Sequence, residues 1–366
     1  MLRQYLSIKE EHPDAILMYR MGDFYEMFYE DAEVASKALE IALTSRNKNE
    51  ESPVPMCGVP CRAVQGYIAR LVEGGHRVAI CDQIEDPSKA KGIVKRAVVR
   101  VITPGMIVED GLLDAKENNY VLAVNRVGDR FGLACLDAST GAFRLTESAR
   151  PDTLTREAQR IDPREVLLPE ALQGAPFFAD IEAVFSERAV TFLDDEAFAP
   201  DRARRRLLET TGTVSLEGFG CDDLTAGVSA AGALVRYLAD TQKREIEHIT
   251  GIETYRLESF LWVDDRSCRN LELLANLQNG SRKGTLIGVI DQTATAMGGR
   301  LLRHWLRYPL MTQEAIARRQ DAVAEALERR DGRIRLREAL KSVHDLERLR
   351  SKVALGQGNP RDLLAL

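Results

Sequence analysis

Cysteine is too sparse in this 366-residue chain to staple or to build a metal cage. Cys57, Cys61, Cys81, Cys135, Cys221 and Cys268 lie singly in apolar or helical contexts, and only Cys57 and Cys61 are close. No histidine or second cysteine pair completes a zinc site, so all six read as reduced, buried thiols of a cytosolic protein. Histidine is equally thin: His12, His76, His248, His304 and His344 are too widely separated to suggest a metal site or a catalytic triad. No long uncharged apolar run is present and the start, Met1-Leu2-Arg3-Gln4-Tyr5, lacks a signal-peptide layout, which leaves no membrane span and a cytoplasmic location as the expectation. A Gly-x-x-x-x-Gly-Lys-Ser/Thr loop is missing, so nothing cradles a nucleoside triphosphate in the usual way. Nowhere do acids, bases and nucleophiles gather at a spacing that suggests a shared site. The chain therefore reads as one that is not itself an enzyme and holds no cofactor or metal.

What is present is ordinary soluble composition, 45% hydrophobic and 29% charged, at a length that one core rarely serves. The net charge of -6 argues mildly against a protein that coats nucleic acid, but phosphate binding depends on where basic residues cluster. Two clusters stand out. Arg46-Asn47-Lys48 sits in a polar loop, and Lys89, Lys91, Lys95, Arg96 and Arg100 fall within twelve positions. Either is equally a solvated face.

Hydrophobic periodicity divides the chain. Residues 2–11 are helical, 15–19 an apolar strand, and Asp31 is placed to cap a helix carrying Val34, Ala35, Ala38, Leu39 and Ala42. Residues 62–73 repeat the helical pattern and stop at Gly74-Gly75, while 77–84 and 93–102 are rich in β-branched residues and read as strands. This gives a mixed-sheet α/β domain over 1–105, then a linker at 106–118. In 119–250, strands at 121–124, 131–137 and 142–145 form a meander, followed by alternating helix and strand patterns. That layout suggests an α/β sheet of ribonuclease-H-like type, with Asp137 where such a fold often carries an acidic metal ligand. A turn role for Asp137 is the other reading. From 251 to 366 the patterns are long, charged and amphipathic, at 268–276, 285–307, 313–329 and 333–355, and predict an all-α domain. The last residues open a fresh apolar pattern at Leu366, so the ending reads as a cut.

One stretch organises the rest: Arg20-Met21-Gly22-Asp23-Phe24-Tyr25-Glu26-Met27-Phe28. Gly22-Asp23 is a natural two-residue hairpin turn, because glycine reaches positive φ without a Cβ clash. Alternation along the following strand places Phe24, Glu26 and Phe28 on one side and Tyr25 and Met27 on the other. In one reading the aromatics are core and Glu26 is a solvated edge charge. In the other, Phe24 stacks on something flat while Glu26 bonds to it, as wedges do when they kink DNA from the minor groove.

Gly22-Asp23-Phe24-Tyr25-Glu26 resembles the Phe-x-Glu motif of the MutS family of DNA mismatch-repair proteins. Further stretches are similar to the same family in the same order: 55–60 (PMCGVP), 100–105 (RVITPG), 136–141 (LDASTG) and 297–302 (MGGRLL), the last continuing through Trp305-Leu306 to Pro309-Leu310. They span nearly the entire chain. The resemblance implies a mismatch-binding domain, a connector domain and the first part of a helical lever domain. It implies that Phe24 stacks on a mispaired or unpaired base, that Glu26 hydrogen-bonds it, and that Arg46 and Arg96 contact the DNA backbone. It also implies partners: double-stranded DNA with mismatches or small loops, a second copy in a homodimer, and a MutL-type protein. ATP and Mg belong to a C-terminal domain absent from this sequence. Two other functions remain open, a metal-dependent nuclease using Asp137 and a protein-interaction scaffold without DNA selectivity.

Overall fold

A computed structural model describes residues 1–46, 53–85, 92, 94–186, 188–243, 246 and 248–366. The described chain divides into two compact units, one of Met1–Leu112 with a short stretch starting at Tyr237, the other of Leu113–Arg236 and Ile246–Leu366.

The first unit runs α1 (Leu2–Glu11), β1 (Ala15–Met21), β2 (Phe24–Phe28), α2 (Tyr29–Leu39), β3 (Thr44–Arg46), β4 (Val54–Pro60), α3 (Val64–Glu73), β5 (Arg77–Gln83) and β6 (Arg96–Ile102). They form one mixed sheet in the order β3-β4-β2-β1-β5-β6. The apolar run of β1 fits its place inside the sheet, parallel to β5 and antiparallel to β2. α1 covers part of one face, where Tyr5, Leu17, Tyr19, Phe28 and Val101 share a core. Ile68, Leu71 and Val72 of α3 are buried, as the periodicity predicts.

Asp31 does not cap α2. The helix starts at Tyr29 with Phe28 at its N-cap and no side-chain cap. Asp31 is instead buried inside the first turn. It accepts from the Tyr5 hydroxyl at 2.8 Å, from Lys9 Nζ at 2.8 Å and from the backbone N–H of Leu17 at 3.0 Å. Three donors from α1 and β1 outbid the helix's own free N–H groups for this carboxylate.

The second unit contains β7 (Val121–Val127), β8 (Arg130–Asp137), β9 (Ala142–Ser148), α4 (Pro151–Ile161), β10 (Glu165–Pro169), α5 (Pro176–Val184), β11 (Ala189–Leu193), α6 (Pro200–Thr211), most of α7 (Thr225–Gln242) and β12 (Glu253–Thr254). The sheet order is β11-β10-β7-β8-β9-β12. β7, β8 and β9 are an antiparallel meander, and β10, β11 and β12 add in parallel. Leu122, Leu133, Leu154, Ile161, Leu168 and Phe178 lie in one core between this sheet, α4 and α5. The rest is helical: α8 (Asp265–Asn270), α9 (Leu286–Ile290), α10 (Ala296–Arg307), α11 (Gln313–Glu328), α12 (Arg330–Leu340), α13 (Leu346–Ala354) and α14 (Pro360–Ala365). Two of the long helices expected here are each split in two, at 291–295 and at 341–345.

None of the six cysteines is in a disulfide. Four are buried, but Cys61 and Cys268 are only partly so, which corrects the expectation of six buried thiols. Among the described residues no helix is long and apolar enough to cross a membrane.

Candidate functional site

Gly22 takes a φ of 61°, Met21 pairs with Phe24 across the turn, and β2 runs back beside β1. On its other edge β2 pairs with β4, Phe24 facing Pro60, Glu26 facing Gly58 and Phe28 facing Met56. The side chains that share one face meet different fates. Phe28, at the inner end, is fully buried and stands edge-on to Tyr5, with ring centroids 5.0 Å apart. Phe24, at the tip beyond the cover of α1, is 47% exposed. Tyr25 and Met27 on the opposite face are both buried. A large aromatic ring is thus left in solvent on a strand whose other apolar side chains are all packed.

Glu26 sits midway between these ends, half-buried. Arg46 on β3 reaches it, Nη1 lying 3.4 Å from Oε2, and spans the Phe28 ring at 5.9 Å. Burial raises the Glu26 carboxyl above its usual value, and the Arg46 charge offsets part of that rise. Gly58 leaves the carboxylate uncovered: a Cβ there would stand 3.3 Å from the Tyr25 carbonyl oxygen and 3.5 Å from Glu26 Cγ. The open part of this face therefore presents, in order from the tip, an exposed ring, a poorly solvated acid and a cation.

Arg96 is placed differently. Its Nε donates to the Arg20 carbonyl at 2.8 Å, its Nη1 to the Val94 carbonyl at 2.9 Å, and its guanidinium lies 4.9 Å from the Tyr19 ring centroid. Arg100 pairs with Glu109 at 2.5 Å. Asn47, Lys48, Lys89 and Lys91 lie outside the described residues.

Asp137, at the end of β8, is fully buried and both of its oxygens are occupied. Oδ1 accepts from the Ser139 N–H and hydroxyl at 2.9 and 2.6 Å, and Oδ2 from Asn118 Nδ2 and the Asn119 N–H at 2.8 and 3.2 Å. The Oδ1 bonds shape the turn into β9 and the Oδ2 bonds tie it to the segment before β7, the work of a structural aspartate. Among the described residues no three His, Cys, Asp or Glu side chains are grouped to hold a metal ion.

Sequence reasoning missed Gly58 and Pro60 as neighbours of Glu26 and Phe24, although both stand within the stretch 55–60. What could not be read was the pairing of β2 with β4, which joins segments about thirty residues apart.

Three family models match the chain in succession: MutS domain I over residues 1–111, MutS domain II over 119–250 and MutS domain III over 266–366. Curated relatives bearing the name DNA mismatch repair protein MutS match all of it. They include those of Desulforapulum autotrophicum, 55% identical over 371 residues, Desulfatibacillum aliphaticivorans, 54% identical over 366, and Symbiobacterium thermophilum, 46% identical over 371. Each covers the whole of this chain, which spans 41–42% of the relatives' own length.

Proposed function

Since the chain belongs to the MutS family, we propose that it carries the mismatch-recognising part of such a protein, with Phe24 as the wedge and Glu26 as the group that bonds the displaced base. The observation that carries this is the exposed Phe24 ring at the tip of a hairpin that is otherwise packed. A mismatched step is easier to unstack and kink than a paired one, so an inserted ring selects weak points without reading sequence. Stacking on one aromatic side chain is worth about 1–3 kcal/mol and tolerates any base. Glu26 supplies the discrimination. As an anion it repels an intact duplex, and its raised pKa eases the proton uptake that would let it donate to, or sit beside, a displaced base. Arg46 neutralises it in the meantime and, with Arg96, is the candidate for contacts to the sugar-phosphate backbone.

On this reading residues 1–105 are the mismatch-binding domain, 106–118 a linker, 119–250 a ribonuclease-H-like connector and 251–366 the start of the lever. Homodimer formation and docking of a MutL-type partner follow the family, the protein is cytoplasmic, and ATP and Mg²⁺ act in the part of the relatives that lies beyond this chain. The nuclease reading loses its acid, since Ser139 and the segment Asn118-Asn119 occupy both oxygens of Asp137.

Binding titrations on matched, mismatched and one-base-loop duplexes test the proposal. The parent should favour the mismatched duplex by about tenfold or more, and Phe24→Ala should remove most of that ratio while leaving matched binding nearly unchanged. Equal ratios in the parent and Phe24→Ala would overturn it.

A further inference from the structure

Within the second unit a cavity of about 220 Å³ opens between the sheet and the helical segment. Its lining is unusually cationic. Arg144 of β9, Arg160 of α4 and Arg300, Arg303 and Arg307 of α10 contribute to it, together with His304, whereas Glu117 and Asp162 are the only carboxylates among the lining residues. Each arginine has an acidic partner, and for two of them that partner also lines the cavity. Arg160 donates to Glu157, Arg300 to Asp345 and Glu347, Arg303 pairs with Glu117 at 3.0 Å, and Arg307 pairs with Asp162 at 3.3 Å. Arg144 lies 3.3 Å from Glu253 and is sandwiched against Tyr255 and Tyr308, 4.2 and 5.0 Å from their ring centroids.

Those partners leave nitrogens over. Arg144 Nη2, Arg160 Nη1, Arg300 Nε and Arg303 Nε are buried and have no hydrogen-bond acceptor, and Arg144 Nε makes its contact with Glu253 without one either. The Arg144, Arg160 and Arg300 side chains are 4–6% exposed, so water does not serve them freely. A buried donor left unmatched is uncommon and destabilising, and several on the arginines around one cavity point to an acceptor held among them. His304 reports the same imbalance. Burial first, and then Arg144, Arg160, Arg319 and Arg307, push its pKa down to about 4.

We propose that this cavity is a binding site for a small oxyanion of the phosphate class, which accepts from the arginines that line it and ties α10 to β9 and α4. Guanidinium groups recognise phosphate through paired N–H donors, and the space equals that of roughly seven waters, enough for the ion with part of its hydration. The inference is independent of the reading of Phe24.

The test is calorimetric titration and thermal unfolding of this chain with inorganic phosphate and, in parallel, a nucleoside monophosphate, against chloride at equal ionic strength. The expected result is one site per chain and a saturable rise in Tm of about 3 °C at tenfold excess over Kd. Saturable binding of inorganic phosphate identifies a free ion as the ligand. Binding of the monophosphate alone identifies a nucleotide, and either supports the site. Arg144→Met keeps the volume and removes a buried, under-bonded charge, so it should unfold no earlier than the parent without phosphate and should lose the phosphate response. Arg303→Gln, at a more accessible position, should weaken binding at least tenfold and carries the test if Arg144→Met does not fold. A Tm rise that is linear in phosphate and equal in the parent and Arg303→Gln is a general salt effect and would overturn the proposal.

Discussion

Glu26 shows how one side chain acquires chemistry from its neighbours. A carboxylate on an open strand face would titrate normally. Here burial raises it, and Arg46 only partly restores the charged form. Because the folded pKa is raised, the stability linked to Glu26 is present at low pH and is lost as pH rises through the folded pKa. On the proposed function, protonation also removes an anion from the path of the phosphates. Mismatch affinity should therefore increase several-fold as pH falls from 8 to 5, and Glu26→Gln should flatten that dependence while lowering the mismatch-to-match ratio. Binding isotherms across this range decide it; a pH profile identical in Glu26→Gln would discard the role given to the acid. Alternation along β2 was legible, so the sequence alone could put Phe24, Glu26 and Phe28 on one face. It could not say that Phe28 would be sealed by Tyr5 and Phe24 left outside, because that depends on how far α1 reaches across the sheet.

At the scale of elements, periodicity located helices well and their ends poorly. The stretch 285–307 is amphipathic throughout, yet it breaks between α9 and α10 because short polar side chains bond the backbone there. Thr285 and Thr295 cap the two helices by accepting from Gly288 and Gly298. Asp291 accepts from the Thr293 N–H and hydroxyl at 3.0 and 2.5 Å, and from Lys116 and Arg282. Such local bonds compete with helix continuation, and threonine and aspartate at these spacings were the available signal. Burial alone would raise the Asp291 carboxyl, but the bonds from Thr293 and Lys116 hold it well below the usual carboxylate range. Its stabilising contribution is thus present above about pH 4 and is lost as pH falls further. Asp291→Ala should cost about 2 kcal/mol at neutral pH, since Lys116 and Arg282 can turn toward water, and the deficit should shrink in acid. Urea denaturation at pH 7 and pH 3 measures both.

For the molecule as a whole, the two mixed α/β sheets and the helical segment were legible from the alternation of period-2 and period-3.6 patterns. The order of strands was not. β5 lies between β1 and β6, and β12, two residues long, completes the second sheet from far along the chain. Pairings at such separation leave no local mark on composition. The second unit is also knotted together by polarity that no periodicity reports. Glu157 on α4 is buried and accepts from the hydroxyls of Tyr255 and Tyr308 at 2.7 and 2.8 Å, joining α4 to the segment after β12 and to the residue that ends α10. Tyr308→Phe should lower stability by about 1 kcal/mol. The denaturation midpoint should fall with the slope unchanged, because sheet and helices unfold together. A new early phase would show that the helices come away first.

A probe mounted on a loose loop has to be immobilised at each encounter, giving up about 1–2 kcal/mol of backbone freedom per residue every time. β2 is flanked by β1 and β4 along both edges, so that loss is incurred once, when the chain folds. On the reading proposed here, the ring arrives at every base step already rigid, and a sound step can be left as quickly as it was tried.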